Sequence, residues 1–207
     1  YVMTEMDYRR MLIKRLMDIV GGSVGALITL LLTPFVALAI KLESKGPVFF
    51  SQVRIGKNGR RFKMYKFRSM YIDAEERKKE LMSQNEVKGL MFKMDNDPRI
   101  TKVGRFIRKT SLDEFPQFFN VLKGDMSLVG PRPALPDEVA RYGSLYSTRL
   151  LVKPGITGPW QVSGRSDLSQ EQSEYLDVSY IENWSIAGDL AILAKTVLVV
   201  FRGTGSY

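Results

Sequence analysis

The chain has 207 residues, 44% of them hydrophobic, which suffices to bury one core, and nothing in the sequence requires two domains. It contains no histidine and no cysteine, which excludes the usual zinc sites, Ser/His/Asp triads, Cys/His pairs and a disulfide framework. Covalent or acid/base chemistry then falls to Asp, Glu, Lys, Tyr, Ser or Thr, and the formal net charge of +9 favours an anionic partner: nucleic acid, an acidic membrane surface or a phosphorylated substrate.

The sequence opens on Tyr1 rather than Met, so an upstream portion is expected. From Ile19 to Ile40 run 22 uncharged residues, bracketed by Lys14 and Arg15 before and Lys41 after. A straight helix of that length rises about 33 Å, enough to cross a hydrocarbon core of about 30 Å, so a simple span is one reading. A signal peptide would have a shorter apolar core and a cleavage site. Thr33-Pro34 argues for the other reading, because proline removes a backbone donor and clashes with the preceding turn. Positive charge at both ends is better satisfied if both return to one side. The prediction is a re-entrant helix-break-helix over about 14–41, broken at Thr33 and Pro34, with the Thr33 or Ser23 hydroxyl serving freed carbonyls. Gly21 and Gly25 form a GxxxG spacing, read as packing within the protomer ahead of dimerisation.

The stretch 48–67, VFFSQVRIGKNGRRFKMYKF, reads as a hairpin reversed at Asn58-Gly59. Seven bases and no acid lie between Arg54 and Arg68, a ribbon that a solvated or headgroup-binding face mostly explains; Lys66 and Arg68 stand out as phosphate ligands. From Asp73 an exposed, Asp-capped helix without chemistry is predicted. Residues 99–108 mix Arg99, Lys102, Arg105 and Arg108 with Val103, Phe106 and Ile107, which suits an interfacial helix.

The most informative segment is RKTSLDEFPQFFNVLKGDMSLVGPRP, from Arg108 to Pro133. Leu112, Phe115, Phe119 and Leu122 recur at helical spacing, ending near Gly124. Ser111-Leu112-Asp113-Glu114 matches a capping box, and Asp113 alone is a second cap candidate. A carboxylate at a helix start also feels the positive dipole end, which favours its ionised, nucleophilic form. Arg132 sits between Pro131 and Pro133, which restrict the backbone and suit either a phosphate clamp or an exposed turn. Further on, VKPGITGPWQVSGR carries Lys153 and Arg165 around Trp160, which reads as core or interface. The stretch from Asp189 to Phe201 is too short to span a bilayer and is expected along the surface. Walker A and GxGxxG patterns are absent.

Taken together, KRLMDIV, the apolar run with its proline, YKFRSM, SLDEFPQFFNVLKGDMSLVGPRP, VKPGITGPWQVSGR and the closing NWS and GTGSY resemble the bacterial sugar transferases, or monotopic phosphoglycosyl transferases. The resemblance implies an α+β fold: a membrane-embedded re-entrant helix, interfacial amphipathic helices, a small β hairpin and a cytoplasmic catalytic body over about 42–207. It further implies the cytoplasmic face of a bacterial plasma membrane, membrane lipids as neighbours, and a UDP-hexose of glucose or galactose type. Undecaprenyl phosphate is the implied acceptor, and no nucleic acid is involved. A homo-oligomer is compatible with the resemblance. Asp113 and Glu114 match the family's catalytic dyad, with Asp113 the Mg²⁺-bound nucleophile. Lys66, Arg108, Arg132 and Arg165 match its phosphate-binding bases. Thr33-Pro34 departs from a Ser-Pro common in the family but keeps the hydroxyl. The length of the stretch from Asp73 to Pro98 resembles the larger members. The rival from another class is a membrane-tethered basic protein that binds nucleic acid or anionic lipid.

Overall fold

The computed structural model describes residues 5–85, 94, 96–143 and 146–202. Helix α1 (Glu5–Glu43) leads into strands β1 (Phe49–Ile55) and β2 (Arg61–Phe67), then α2 (Ala74–Leu81) and α3 (Lys102–Lys109). A 3-10 turn at Leu112–Glu114 precedes α4 (Gln117–Lys123) and β3 (Ser127–Val129). A short α5 (Pro136–Val139), β4 (Gly155–Thr157), α6 (Pro159–Val162), α7 (Gln170–Glu182) and α8 (Ile186–Arg202) follow. The class is α+β, with β1-β2 antiparallel and β3-β4 parallel.

The hairpin forms where Asn58-Gly59 predicts it, with φ of 59° and 74° at those residues. Pairing runs from Phe49↔Phe67 to Ile55↔Arg61. Side chains alternate between strand faces, so Phe62, Met64 and Lys66 share one face. Phe62 and Met64 enter a buried cluster with Val121, Met126, Leu128 and Val129. Lys66 is thereby carried inward on the same face, towards the 3-10 turn.

Helix α1 corrects one expectation: its helical conformation continues through Thr33 and Pro34, so the predicted break at that pair is not present as an interruption. The Thr33 hydroxyl donates to the Thr29 carbonyl at 2.6 Å, whereas the carbonyl that Pro34 leaves without its helical donor is that of Leu30. Beyond Pro34, Val36 and Ile40 are held in a second cluster with Phe67 and Ile107, and this packing keeps the far half helical.

One face of α1 meets the rest of the fold along its length. Arg15 donates to the Val121 and Leu122 carbonyls at the end of α4, and Asp18 accepts from Ser127 Oγ and Leu128 N. A Cβ on Gly25 would stand 2.3 Å from the Phe118 ring, and one on Gly21 would stand 2.4 Å from Leu128. The small-residue spacing therefore serves packing within the protomer, as expected. At the far end Glu43 accepts from the backbone N–H groups of Lys102 and Val103, closing the N-terminus of α3. The opposite face is apolar and open: Leu16, Val20, Leu31, Phe35 and Leu42 are each more than three-fifths exposed.

Two smaller corrections concern the middle of the chain. Asp73 makes no side-chain cap, because its carboxylate accepts from Arg77 Nε at 2.7 Å instead. Helix α2 ends at Leu81 with a 3-10 turn to Gln84, and the rest of the predicted helix lies outside the described residues. At the carboxyl side, α8 lies along the surface as expected, with Leu190, Val197, Leu198 and Phe201 exposed and Asp189 buried.

Candidate active site

The site begins at the turn before α4. Ser111 adopts a left-handed conformation (φ 59°) and makes no side-chain cap, and α4 starts after Pro116, again without one. The capping roles that the sequence offers Asp113 and Glu114 are thus not taken, which corrects the capping-box expectation. A left-handed Ser111 lacks the extended backbone that a capping residue usually adopts, and α4 begins only after Pro116. Gly124, at φ 90°, ends α4 as predicted.

Asp113 is only 7% exposed. Burial and the adjacent Glu114 push its carboxyl up to about 6, against the lowering pull of Lys66 and Arg108. Its ionised form therefore dominates at neutral pH while staying poorly solvated. Glu114 is more open and lies 3.6 Å from Lys66 Nζ.

The cations come from separate elements. Thr101 caps α3 by accepting from Gly104 N at 2.8 Å. A Cβ on Gly104 would stand 2.0 Å from the Ser69 carbonyl, so glycine is what lets α3 close on the end of the hairpin. That approach brings Arg108 Nε within 2.9 Å of Ser69 Oγ, next to Asp113. Asp97 and Arg99 form a buried bidentate pair nearby, at 2.6–3.0 Å. β3 carries the chain into Pro131-Arg132-Pro133, where the Arg132 guanidinium lies 5.6 Å from the Trp160 ring centroid and 2.9 Å from Glu138 Oε1. Arg149 supports this turn from behind, donating to the Arg132 carbonyl at 2.7 Å while paired with Asp177.

Lys66, Ser69, Asp97, Arg99, Arg108, Arg132 and Glu138 line a cavity of about 470 Å³, and Asp113 and Glu114 are not among its lining residues. Seven cations line it, Arg54, Lys66, Arg68, Lys78, Arg99, Arg108 and Arg132, against three carboxylates, Glu75, Asp97 and Glu138. That imbalance suits a polyanion. Asp113 adjoins the cavity through Lys66 and Arg108. Ala74, Glu75 and Lys78 of α2 form part of its wall, so the helix predicted to lack chemistry contributes to the site.

Two predicted phosphate ligands are placed differently. Arg68 lines the cavity, but its Nε, Nη1 and Nη2 donate to the carbonyls of Pro47, Met70 and Ser44, which makes it a strut between α1 and the hairpin. Arg165 occupies a left-handed position (φ 52°) after α6 and is not among the cavity-lining residues. Arg54 and Glu138, which sequence reasoning left aside, do line it. Strand alternation was a usable signal for Arg54, since it shares a face with Phe50 and Gln52, both at the cavity. Nothing local marks Glu138. Trp160, read as core or interface, is the platform beneath Arg132.

Among the described residues no three His, Cys, Asp or Glu side chains converge as a metal cage. Mg²⁺ does not need one, since it is commonly held by one or two carboxylates, substrate phosphates and water. The Asp113-Glu114 pair, whose adjacent charges resist burial, fits such a site.

A family model described as bacterial sugar transferase matches residues 9–203. The galactosyl transferase CpsE of Streptococcus agalactiae is 51% identical over 100% of this chain and 46% of its own length. The undecaprenyl-phosphate galactose phosphotransferase of Salmonella typhimurium is 52% identical over 78% of this chain and 35% of its own. The UDP-galactose-lipid carrier transferase of Erwinia amylovora is 46% identical over 94% of this chain and 42% of its own. The chain thus spans less than half the length of these relatives. With the family model matching residues 9–203, nearly its whole length, this chain belongs to the bacterial sugar transferase family.

Proposed function

We propose that this chain transfers a hexose-1-phosphate, of glucose or galactose type, from a UDP-sugar to undecaprenyl phosphate, releasing UMP and initiating capsule, exopolysaccharide or O-antigen type glycan assembly. The supporting observation is a buried, uncapped Asp113 set against Lys66 and Arg108 at the edge of a cationic cavity. An Asp113 oxygen attacks the β-phosphorus of the donor, and the bond to the bridging oxygen breaks, its electron pair leaving with UMP. An oxygen of undecaprenyl phosphate then attacks the same phosphorus, and the carboxylate departs unchanged. Division into two steps lets one fixed group serve a soluble donor and a lipid acceptor in turn. Lys66 and Arg108 offset the repulsion between an anionic nucleophile and an anionic target. Mg²⁺, held by Asp113 and the donor diphosphate, would add charge neutralisation there. Glu114 serves to orient the metal or leaving group, or to handle a proton.

Incubating the full chain with UDP-glucose or UDP-galactose, undecaprenyl phosphate and Mg²⁺ is expected to release UMP with ping-pong kinetics. Absence of UMP with every UDP-hexose, alongside a fully folded protein, overturns the reading. Because the nucleophile is the ionised carboxylate, kcat/KM for the donor is expected to fall as the pH drops, with an acidic limb no higher than about 6. A bound cation moves that limb lower, since it favours the ionised form. An acidic limb clearly above 6 would assign the titration to a group other than Asp113.

The contacts of α1 support a membrane disposition. Arg15 and Glu43, 28 positions apart and about 42 Å along a straight helix, both bond to the catalytic body. A lengthwise crossing would pull the charged turn and cavity into hydrocarbon, at prohibitive cost. We therefore place α1 lengthwise in the cytoplasmic leaflet of the plasma membrane, its open apolar face towards the hydrocarbon and both ends on the cytoplasmic side. The sequence has no cysteine, so single Leu12→Cys and Lys45→Cys variants in oriented vesicles report cleanly. Both are expected to react from one face; reaction from opposite faces means a span.

A further inference from the structure

Arg54 and Arg132 converge on one acceptor. Each donates to the Pro133 carbonyl oxygen at 2.9 Å. Glu138 is the carboxylate that offsets them, 2.9 Å from Arg132 Nη2 and also accepting from the Leu135 N–H. Gln52 takes Arg54 Nη2 at 2.8 Å, while the buried Arg54 Nε–H has no acceptor among the described residues. Burial and the neighbouring Arg132 lower the Arg54 pKa to about 10, so it is still a cation at neutral pH. Two partly buried cations sharing one carbonyl and one carboxylate hold surplus positive charge, which an arriving anion would offset.

Arg54, Arg132 and Glu138 all line the cavity. The charges acting on Asp113 are Glu114, Lys66 and Arg108. Those acting on Arg54 are Arg132, Glu138 and Glu114. Lys66, Arg108, Arg54 and Arg132 line the same cavity and Glu114 acts on both Asp113 and Arg54, so the two cationic centres adjoin. A diphosphate has two phosphorus atoms one bridging oxygen apart. The first must meet the Asp113 centre, which leaves the second for the arginine pair.

We propose that Arg54, together with Arg132, binds the phosphate that departs with the nucleotide, and that Glu138 is the resident counter-anion this phosphate displaces. The assignment rests on the transferase reading above. A guanidinium fork matches two phosphate oxygens, and a second fork beside it matches the dianion left after cleavage. The return of Glu138 to Arg132 then competes with the product and helps it leave.

The test is calorimetric titration of UMP into the full chain in detergent micelles, with thermal melting as a check on folding. Arg54→Gln and Arg54→Lys are each expected to weaken UMP by about tenfold or more, lysine failing because it keeps the charge without the fork. Glu138→Gln, which keeps the hydrogen bond to Leu135, is expected to tighten UMP. UMP affinity within about twofold of wild type in both Arg54→Lys and Glu138→Gln overturns the assignment, and so does weaker binding to Glu138→Gln. A purely structural Glu138 would give that weaker binding, because Arg132 would be loosened. If wild type released no UMP from UDP-sugars while inorganic pyrophosphate binding followed the same order of variants, the transferase reading would fail and the subsite would stand. Intact UMP release with affinity insensitive to Arg54 and Glu138 would remove the subsite alone.

Discussion

Asp113→Asn is expected to abolish transfer while leaving a folded, more heat-resistant protein. An amide cannot form the acyl phosphate, so activity should drop on the order of 10⁴-fold or more, the scale on which removal of a nucleophile acts. Asparagine caps helices about as well as aspartate, so a carboxylate serving only as a cap would tolerate the change, and the structure shows no cap to lose. The stability effect has a definite sign. Because the folded-state pKa is raised from 3.8 to about 6, the folded form holds the proton more tightly than the unfolded one. That stabilisation is full below 3.8 and is lost as pH rises through about 6. Two pKa units correspond to at most about 3 kcal/mol. In chelator the melting temperatures of variant and wild type should therefore diverge across that window, the variant being higher at pH 7.5. Intact-mass spectrometry of wild type given donor without acceptor should show the sugar-phosphate adduct, and Asp113→Asn should not. Appreciable turnover by the variant would remove Asp113 from the mechanism.

What could be read from sequence divides by the range of the signal. Asn58-Gly59 fixes the hairpin reversal and Gly124 the end of α4, because each needs a positive φ whatever surrounds it. The cap reading of Ser111 to Glu114 was equally local, yet it failed because two other local constraints, the left-handed Ser111 and Pro116, redirect the chain. Within the basic ribbon a period of two separates Arg54 and Lys66, which face inward, from the exposed Arg61 and Lys63. The same period carries Arg68 inward, where three backbone carbonyls take its guanidinium. Distinguishing strut from ligand requires knowing that the end of α1 lies against the hairpin. Glu138 and Trp160 gain their meaning only when the turn at Arg132 is folded onto both.

Lys14→Met is expected to be the most destabilising single change at the amino-terminal end of α1. Lys14 Nζ pairs with Asp189, donates to the Val129 carbonyl at 3.0 Å and lies 5.6 Å from the Trp184 ring centroid. Asp189 is fully buried and also accepts from Tyr180 Oη at 2.7 Å and Trp184 Nε1 at 3.1 Å. Removing the ammonium strands a buried carboxylate, which typically costs about 3–5 kcal/mol; the two remaining donors place this case near the lower figure. At about 2–4 °C per kcal/mol for a chain of this size, melting should fall by roughly 6–12 °C. Asp189→Asn added to Lys14→Met should recover part of the loss, because the stranded charge is gone. A coupling energy above about 1 kcal/mol in the double-mutant cycle is the expected signature. Since Val129 is the last residue of β3 before Gly130-Pro131-Arg132, the single variant should also raise the donor KM more than it lowers kcat. A melting shift under about 2 °C, with no coupling, would mean that this pair does not hold the arginine turn to α1.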